Sequence, residues 1–316
     1  MTGFELQWDA CPLYFMHMPK TGGTGLGRWL RDVYGKGYFH LDLPTIATWQ
    51  GRDVRTFRCY HAWHHGLSLY NWLERPDLAV ITMLRDPVER VVSGFYQWQR
   101  MLLRQPPQVK RRYRVSMQGL LGKNIEECLQ EELLVNIMSN EQVRILGIRK
   151  DYRTFFSTVK AARPAEAFLL PYDVPVTVDN DDLPQLFDNA CAWLGAMNAV
   201  GLTERYAESM AMFGKLLGVP APARPPRANP NPRRNEPVLP YRATLPPGAV
   251  ARLEELNRWD IQLYDYAREL FGQHLACFQR RAVRTYSVAP RLRVPVRKAR
   301  LKVGGWVRPY LPGRKP

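Results

Sequence analysis

A short segment near the start of the chain combines residue types that bind oxyanions. It reads HMPKTGGT and lies between an apolar run and a helical pattern. A loop in that position directs backbone N–H groups and the positive end of the helix at an anion. The residues that could bind a phosphate or sulfate group here are Lys20, Thr21, Gly22, Gly23 and Thr24. A glycine turn beside a solvent-exposed lysine is the alternative interpretation.

The order of these residues differs from that of the Walker loop in ATPases and GTPases. In a Walker loop the lysine follows the glycines, as G-K-[ST]. Here Lys20 precedes Gly22 and Gly23. The pattern therefore predicts an oxyanion site of another kind and speaks against an ATPase or GTPase.

A second segment, TMLRDPVERVVS, places an arginine and a serine where a further anion could bind. Arg85 follows the apolar run Leu78–Leu84, which is typical of a buried parallel strand, and ligands bind at the carboxyl ends of such strands. Ser93 lies two turns into the helix that follows. A guanidinium and a hydroxyl that converge suit a second phosphate. Alternatively, Arg85 pairs with Asp86 or Glu89 as part of the scaffold, and Ser93 faces solvent.

Hydrophobic periodicity predicts strands and helices that alternate along the chain. The predicted strands are Leu13–Met18, Val54–Tyr60, Leu78–Leu84 and Ala167–Leu170. Helices are predicted around Leu26–Val33, after Pro87, within Ile125–Ile145 and over Leu245–Phe271. Alternation of this kind indicates an α/β fold with a central parallel sheet and helices on both faces.

The chain divides into a domain and a tail. We expect one domain over residues 1–278, interrupted by a loop over residues 219–248 whose ten prolines are incompatible with regular structure. Residues 279–316 form a basic tail, because the chain from Arg280 onward has twelve basic and no acidic side chains, and the whole chain has a formal charge of +16. Such a tail either contacts an anionic surface or is a flexible solubilising arm.

The sequence also predicts a compartment. No apolar run reaches the roughly 18–20 residues of a membrane-spanning helix, and the first residues do not resemble a secretory signal. The five cysteines are an odd number without a C-x-x-C pair, so neither a disulfide framework nor a zinc site is expected. These features predict a cytoplasmic protein.

The two oxyanion segments together resemble the two signature motifs of sulfotransferases that use 3′-phosphoadenosine 5′-phosphosulfate (PAPS). The likeness is greatest to the branch that includes heparan sulfate 2-O-sulfotransferases and many bacterial relatives. Three weaker blocks extend the resemblance over roughly residues 13–275, and they are Asn140–Arg144, Val200–Arg205 and Leu263–Tyr266. The resemblance implies a single P-loop-like domain.

The resemblance also implies a reaction and a set of ligand contacts. A sulfuryl group would pass from PAPS to an acceptor hydroxyl, and 3′,5′-ADP would remain. The acceptor is expected to be a carbohydrate. The Lys20–Thr24 loop would hold the 5′-phosphosulfate, while Arg85 and Ser93 would hold the 3′-phosphate. Arg233 and Arg234 resemble a basic loop that closes over the same 3′-phosphate. No metal and no obligate protein partner are implied.

Sulfuryl transfer to an alcohol needs a base for the hydroxyl proton and a positive charge beside the leaving phosphate. Lys20 can supply the charge. The family places its catalytic histidine in the stretch YHAWHHG, where His61 is the favoured base and His64 the second candidate. The alternatives are a histidine-rich loop that caps a strand and an H-x-x-H metal site, which lacks a nearby carboxylate or cysteine. His17 is predicted to be a packed core histidine.

Two other functions remain open from the sequence. A nucleotide-dependent phosphotransferase could use the same oxyanion segments, although the missing G-K-[ST] order weighs against it. A nucleic-acid-binding protein could act through the basic tail. In eukaryotic relatives of the resembling branch an anchor precedes the catalytic domain, and here the glycine-rich loop begins within the first twenty residues. That position reinforces the expectation of a cytoplasmic enzyme.

Overall fold

The computed structural model describes residues 10–42, 45–46, 49–63, 67–104, 122–131, 135, 138–148, 182–222 and 240–280. Within these residues, five strands form one sheet in the order β2-β3-β1-β4-β5, and every neighbouring pair is parallel. The strands are β1 (Leu13–His17), β2 (Tyr38–Leu41), β3 (Cys59–Trp63), β4 (Ala79–Leu84) and β5 (Ala199–Leu202). The predicted α/β fold with a central parallel sheet is confirmed.

Nine helices accompany the sheet in the described part of the chain. They are α1 (Gly23–Tyr34), α2 (Ser68–Leu73), α3 (Pro87–Arg104), α4 (Ile125–Cys128), α5 (Glu141–Gly147), α6 (Leu183–Ala196), α7 (Tyr206–Leu217), α8 (Pro247–Leu256) and α9 (Arg258–Arg280). Short 3₁₀ turns occupy Gly35–Gly37, Val54–Thr56, Thr203–Arg205 and Tyr241–Thr244. The order of strands and helices is that of an α/β domain with crossover connections.

Two hydrophobic clusters hold the domain together. The larger one surrounds the sheet, where every residue of β1 and β4 is buried, as the continuous apolar runs predict. The smaller cluster joins α3 to α4 and α8 through residues such as Val92, Ile125 and Leu253. The start of α3 is capped as its sequence indicates, because the Asp86 carboxylate accepts the Glu89 backbone N–H at 3.0 Å.

The second predicted strand is displaced in the structure. Residues Val54–Thr56 form a 3₁₀ turn instead, because the Asp53 carboxylate accepts the backbone N–H of Arg55 at 3.0 Å and caps the turn. The strand β3 begins only at Cys59, so His61 lies inside a strand rather than after one. The four-residue strand β2 was not predicted, since it is too short to show a clear period.

The proline-rich stretch is partly regular, in contrast to the prediction. Its last residues contain the 3₁₀ turn Tyr241–Thr244 and the first turn of α8, where proline at the first position is well tolerated. The predicted helix Leu245–Phe271 is two helices, because the Asn257 side chain donates to the Leu253 carbonyl and ends α8. The predicted strand Ala167–Leu170 and the tail beyond residue 280 lie outside the described residues.

Candidate active site

The carboxyl ends of the parallel strands meet at one edge of the sheet, where Lys20 follows β1 and Arg85 follows β4. The glycine loop, residues 18–22, connects β1 to α1. Lys20 in this loop has a φ of 68°, a left-handed conformation that costs about 1–2 kcal/mol for a residue with a side chain. The buried Thr21 hydroxyl donates to the Met18 carbonyl at 2.9 Å, so this side chain stabilises the loop itself.

The helix α1 begins directly after the glycine loop, with Gly22 as its N-cap residue. The first backbone N–H groups of a helix have no acceptor within the helix, so those of Gly23 and Thr24 point out of its N-terminus. Thr24 is half-buried there. This end of α1 therefore offers the anion-binding geometry that the sequence predicts.

Lys20 bridges from the glycine loop to α3. Its ammonium donates a hydrogen bond to the side-chain carbonyl of Gln97, and its stem passes close to Gly94. Ser93 lies one turn before Gln97, on the same face of α3. Burial and, after it, the positive charge of Arg85 lower the pKa of Lys20 to about 8. The Arg85 charge therefore lies close enough to Lys20 to disfavour its protonated form.

Arg85 follows β4 and lies against the glycine loop. Its guanidinium donates to the Lys20 carbonyl at 3.3 Å and has an ion pair with Glu89 at 3.4 Å. Its Nε atom is buried and, within the described residues, has no hydrogen-bond acceptor, with the Glu204 carboxylate at 3.9 Å. Gln142 fixes the Arg85 backbone by two hydrogen bonds of 3.2 and 3.1 Å. The scaffold pairing with Glu89 exists, but it leaves one donor unused.

A single threonine ties the two oxyanion segments together. The Thr203 hydroxyl, just after β5, lies 2.9 Å from the carbonyl of Thr21 and 3.1 Å from the carbonyl of Leu84. The first carbonyl belongs to the glycine loop and the second to the residue before Arg85. The spacing between Lys20 and Arg85 is therefore fixed by the end of β5.

His61 is the centre of a hydrogen-bonded line across three strands. Its Nδ1 atom lies 2.6 Å from the Tyr38 hydroxyl on β2, and its Nε2 atom lies 2.8 Å from Nδ1 of His17 on β1. Both histidines are only 3% exposed. His17 is buried as predicted, yet it also contacts the predicted base. His64, Arg233 and Arg234 lie outside the described residues.

Two glycines of α1 allow the helix to lie directly over these rings. A Cβ atom on Gly23 would stand 2.1 Å from Cδ2 of His17, and a Cβ atom on Gly27 would stand 2.4 Å from Cε1 of His61. Any larger residue would collide with an imidazole, so both positions require glycine. The backbone of α1 thereby presses the two rings against the sheet.

Other aromatic side chains border the histidine pair. The His40 ring stands edge-on to His61 at a centroid distance of 5.1 Å, and Asp42 holds His40 at 3.0 Å. Trp63 stands edge-on to His17 at 4.6 Å. Among the described residues, no three or more His, Cys, Asp or Glu side chains are arranged to hold a metal ion.

Comparison with known proteins agrees with this arrangement. The profile of the sulfotransferase family matches residues 8–267, which is most of the chain. The chain belongs to the sulfotransferase family. The predicted family is thus confirmed.

Curated relatives of this sulfotransferase are heparan-sulfate 6-O-sulfotransferases. Heparan-sulfate 6-O-sulfotransferase 2 of Danio rerio is 27% identical, over 93% of this chain and 65% of the relative. Heparan-sulfate 6-O-sulfotransferase 1 of Homo sapiens is 25% identical, over 85% of this chain and 67% of the relative. The chain thus spans about two thirds of the length of these relatives.

The expectation of a cytoplasmic protein is wrong. The heparan-sulfate 6-O-sulfotransferases that this sulfotransferase resembles are membrane-anchored enzymes of the Golgi lumen. The prediction rested on the lack of a membrane-spanning run and of a secretory signal, on the cysteines and on the position of the glycine loop, and none of these determines a compartment. In the described part of the chain, no helix is long and apolar enough to cross a membrane.

Sequence reasoning missed three of the residues that shape this sulfotransferase site. Tyr38 lies on the short strand β2, and Thr203 acts through backbone carbonyls far from it in the chain. His17 is separated from His61 by 44 residues, and the parallel register of β1 and β3 brings them together. A signal existed for His17 alone, since it immediately precedes the glycine loop.

Proposed function

We propose that this sulfotransferase moves a sulfuryl group from PAPS to a hydroxyl group of a carbohydrate. When bound, PAPS supplies the sulfuryl group and remains as 3′,5′-ADP. The contact between Lys20 and Arg85 at the sheet edge carries the proposal. Two adjoining cations, one with a lowered pKa and the other with an unused buried donor, suit a ligand with two separate anionic groups.

Each cation has a separate task in the proposed reaction. Lys20, beside the N-terminus of α1, holds positive charge where the departing phosphate gains negative charge. Arg85 and Ser93 hold the 3′-phosphate from β4 and α3. Displacement of Glu89 from Arg85 would free a guanidinium edge for that phosphate, because the existing ion pair is long at 3.4 Å.

His61 takes the proton of the acceptor hydroxyl in the proposed reaction. As the acceptor oxygen forms its bond to sulfur, its O–H bond breaks and the proton passes to His61. Both ring nitrogens of His61 have protein partners, so the acceptor must replace one of them. Tyr38 is half-buried and His17 is buried, so the acceptor hydroxyl replaces Tyr38 at Nδ1.

An anionic polysaccharide is the proposed class of acceptor. The named relatives act on heparan sulfate, a carbohydrate, according to their names. The formal charge of +16 favours a partner with negative charge. The basic tail, which lies outside the described residues, remains a predicted second contact with such a partner.

Transfer of label from PAPS tests the proposed function. The full chain is incubated with ³⁵S-labelled PAPS and a panel of acceptors, namely heparan sulfates of defined sulfation, neutral glycans, lipids and small alcohols. We expect label in the heparan sulfates, and a loss of turnover of about 10²–10³-fold in Lys20→Ala. Lys36→Ala, which changes an exposed lysine after α1, is the matched control and should retain full turnover. Failure to label any acceptor would overturn the proposal.

The alternative functions give different results in the same assay. A phosphotransferase would transfer label from γ-labelled ATP rather than from PAPS. A protein that acts only by binding nucleic acid would transfer neither label. Both outcomes would contradict the proposed sulfuryl transfer.

A further inference from the structure

We propose that His17 is a positioning residue that holds the His61 imidazole with its proton on Nε2 and its lone pair on Nδ1. The inference rests on the proposed function, in which His61 is the base. The hydrogen bond of 2.8 Å between Nε2 of His61 and Nδ1 of His17 carries it. In hydrolases with a catalytic triad, a third group likewise fixes the tautomer and orientation of a catalytic histidine.

The hydrogen-bonded line gives each ring nitrogen of His61 a partner, and the proposed tautomer assigns the donor in each pair. Burial raises the pKa of Tyr38 to about 12, so its hydroxyl remains a donor at neutral pH. In the proposed arrangement the Tyr38 hydroxyl donates at 2.6 Å to the lone pair on Nδ1 of His61. The proton of the neutral ring then lies on Nε2 and is donated to Nδ1 of His17. His17 accordingly has its own proton on Nε2.

The surroundings keep this arrangement rigid. Gly23 covers the His17 ring and Gly27 covers the His61 ring, each closer than any side chain would allow. Phe15 stacks on both rings, with centroid distances of 5.5 and 5.0 Å. Neither imidazole can turn over without displacing α1 or β1, so the orientation of both rings is fixed before an acceptor arrives.

Several titratable or charged groups face the pair, and a pH profile reports on all of them. On β2, Tyr38 contacts His61 directly and His40 stands edge-on to it, paired with Asp42. From α1, the Arg31 guanidinium lies 5.3 Å from the centre of the Tyr38 ring. Because these groups are the same in every His17 variant, a difference between variants isolates the contribution of His17.

Two substitutions of His17 separate the hydrogen bond from the bulk of the ring. Asparagine can present an amide oxygen near the position of Nδ1, whereas leucine fills the space without an acceptor. We expect His17→Leu to reduce kcat by at least about tenfold and His17→Asn by less than about threefold. Both should leave the Kd for 3′,5′-ADP within about twofold of wild type, since the nucleotide contacts lie elsewhere. His274→Asn, which changes a half-buried histidine on α9 that accepts the Val200 N–H, is the matched control.

The pH dependence gives a second readout that a merely structural role would not move. The acid limb of kcat/KM should shift in His17→Leu and return to its wild-type position in His17→Asn. An unchanged kcat in His17→Leu would overturn the inference. The inference would also be overturned if His17→Asn and His17→Leu lost the same factor in kcat and neither shifted the acid limb of kcat/KM.

The tautomer can be observed without activity and without substitution. The chain has six histidines, so ¹⁵N-histidine labelling gives a spectrum that can be assigned. We expect His61 in the wild-type protein to carry its proton on Nε2, with a hydrogen-bonded imidazole N–H resonance. If the wild-type enzyme is active but His61 carries its proton on Nδ1, the role of His17 is overturned and the proposed function is not. Absence of sulfation by the wild type would overturn the proposed function, whichever tautomer is found.

Discussion

At the scale of single residues, the surroundings of Lys20 favour the binding of an anion. Its side chain is held against α3 by Gln97, beside Arg85, and its pKa is lowered to about 8. The protonated form of Lys20 is disfavoured, because its amine is partly buried and lies near a second positive charge. A bound phosphosulfate reverses that effect, because its negative charge stabilises the protonated amine.

We therefore expect binding of 3′,5′-ADP to take up a proton near pH 9. In the free protein Lys20 is mostly neutral at that pH, and the bound anion raises its pKa, so uptake should approach one proton at about pH 9 and fade at about pH 7. Calorimetry in two buffers of different ionisation enthalpy measures the uptake. Lys20→Met should abolish it. Equal binding enthalpies in both buffers at each pH would contradict the lowered pKa of Lys20.

Arg85 should determine the preference for a 3′-phosphate. The protein is expected to bind 3′,5′-ADP more tightly than 5′-AMP, and Arg85→Ala should remove about 1.5–3 kcal/mol of that difference. Isothermal titration with both nucleotides measures it. Arg55 lies in the 3₁₀ turn before β3, with its guanidinium over the Trp72 ring. Arg55→Ala is the control and should keep the preference. Equal affinities of the wild type for both nucleotides would refute the second anion site.

The juxtaposition of Lys20 and Arg85 could be predicted from the sequence better than the environment of His61. Lys20 and Arg85 stand in local motifs whose geometry follows from the strand and helix beside them, so their juxtaposition could be expected. The environment of His61 could not, because its hydrogen-bond partners come from β1 and β2. No local pattern records which strands become neighbours.

At the scale of elements, the close approach of α1 to the sheet depends on two glycines. Gly23→Ala and Gly27→Ala should each lower the free energy of unfolding by about 1–3 kcal/mol, because the new methyl groups would collide with imidazole rings. Denaturant titration measures the change. Gly248→Ala, in α8 where a Cβ meets nothing within 4 Å, is the control and should be neutral or slightly stabilising. Full stability of both α1 variants would show that the helix is not held against the rings.

The displaced strand explains part of the difference between prediction and structure at this scale. The apolar residues Val54 and Phe57 are both buried, so the sequence there has the composition of a strand. The Asp53 cap turns the chain into a 3₁₀ helix, and pairing with β1 begins only at Cys59. Long buried strands such as β4 were predicted to within one residue, since their apolar run leaves no competing pattern.

At the scale of the whole molecule, a buried polar network links the C-terminal helices to the site. The fully buried Asp260 on α9 accepts the backbone N–H groups of Gln142 and Val143 at 3.1 and 2.8 Å. Arg90 lies 3.9 Å from the same carboxylate. Because Gln142 in turn holds the Arg85 backbone, the position of the anion site depends on α9.

Loss of the Asp260 carboxylate should therefore weaken both the fold and the site. We expect Asp260→Ala to lower the free energy of unfolding by about 3–5 kcal/mol, since two buried backbone donors would lose their acceptor and Arg90 would keep only the Glu141 carboxylate as a charged partner within the described residues. Affinity for 3′,5′-ADP should fall as well. Asp265→Ala, an exposed aspartate on the same helix, should change stability by less than about 0.5 kcal/mol. Chemical denaturation and nucleotide titration of the two variants make the comparison, and similar behaviour would contradict a structural role for the network.

The Thr203 hydroxyl has one proton between two carbonyls and fixes the distance between the two oxyanion segments. The two anion-binding segments can neither separate nor approach without losing its contacts to Thr21 and Leu84. We therefore expect the protein to select a nucleotide by the distance between its two phosphates as well as by their charge. We expect the protein to bind 2′,5′-ADP and 3′,5′-ADP, which have equal charge, with different affinities. Thr203→Val should reduce this difference in affinity.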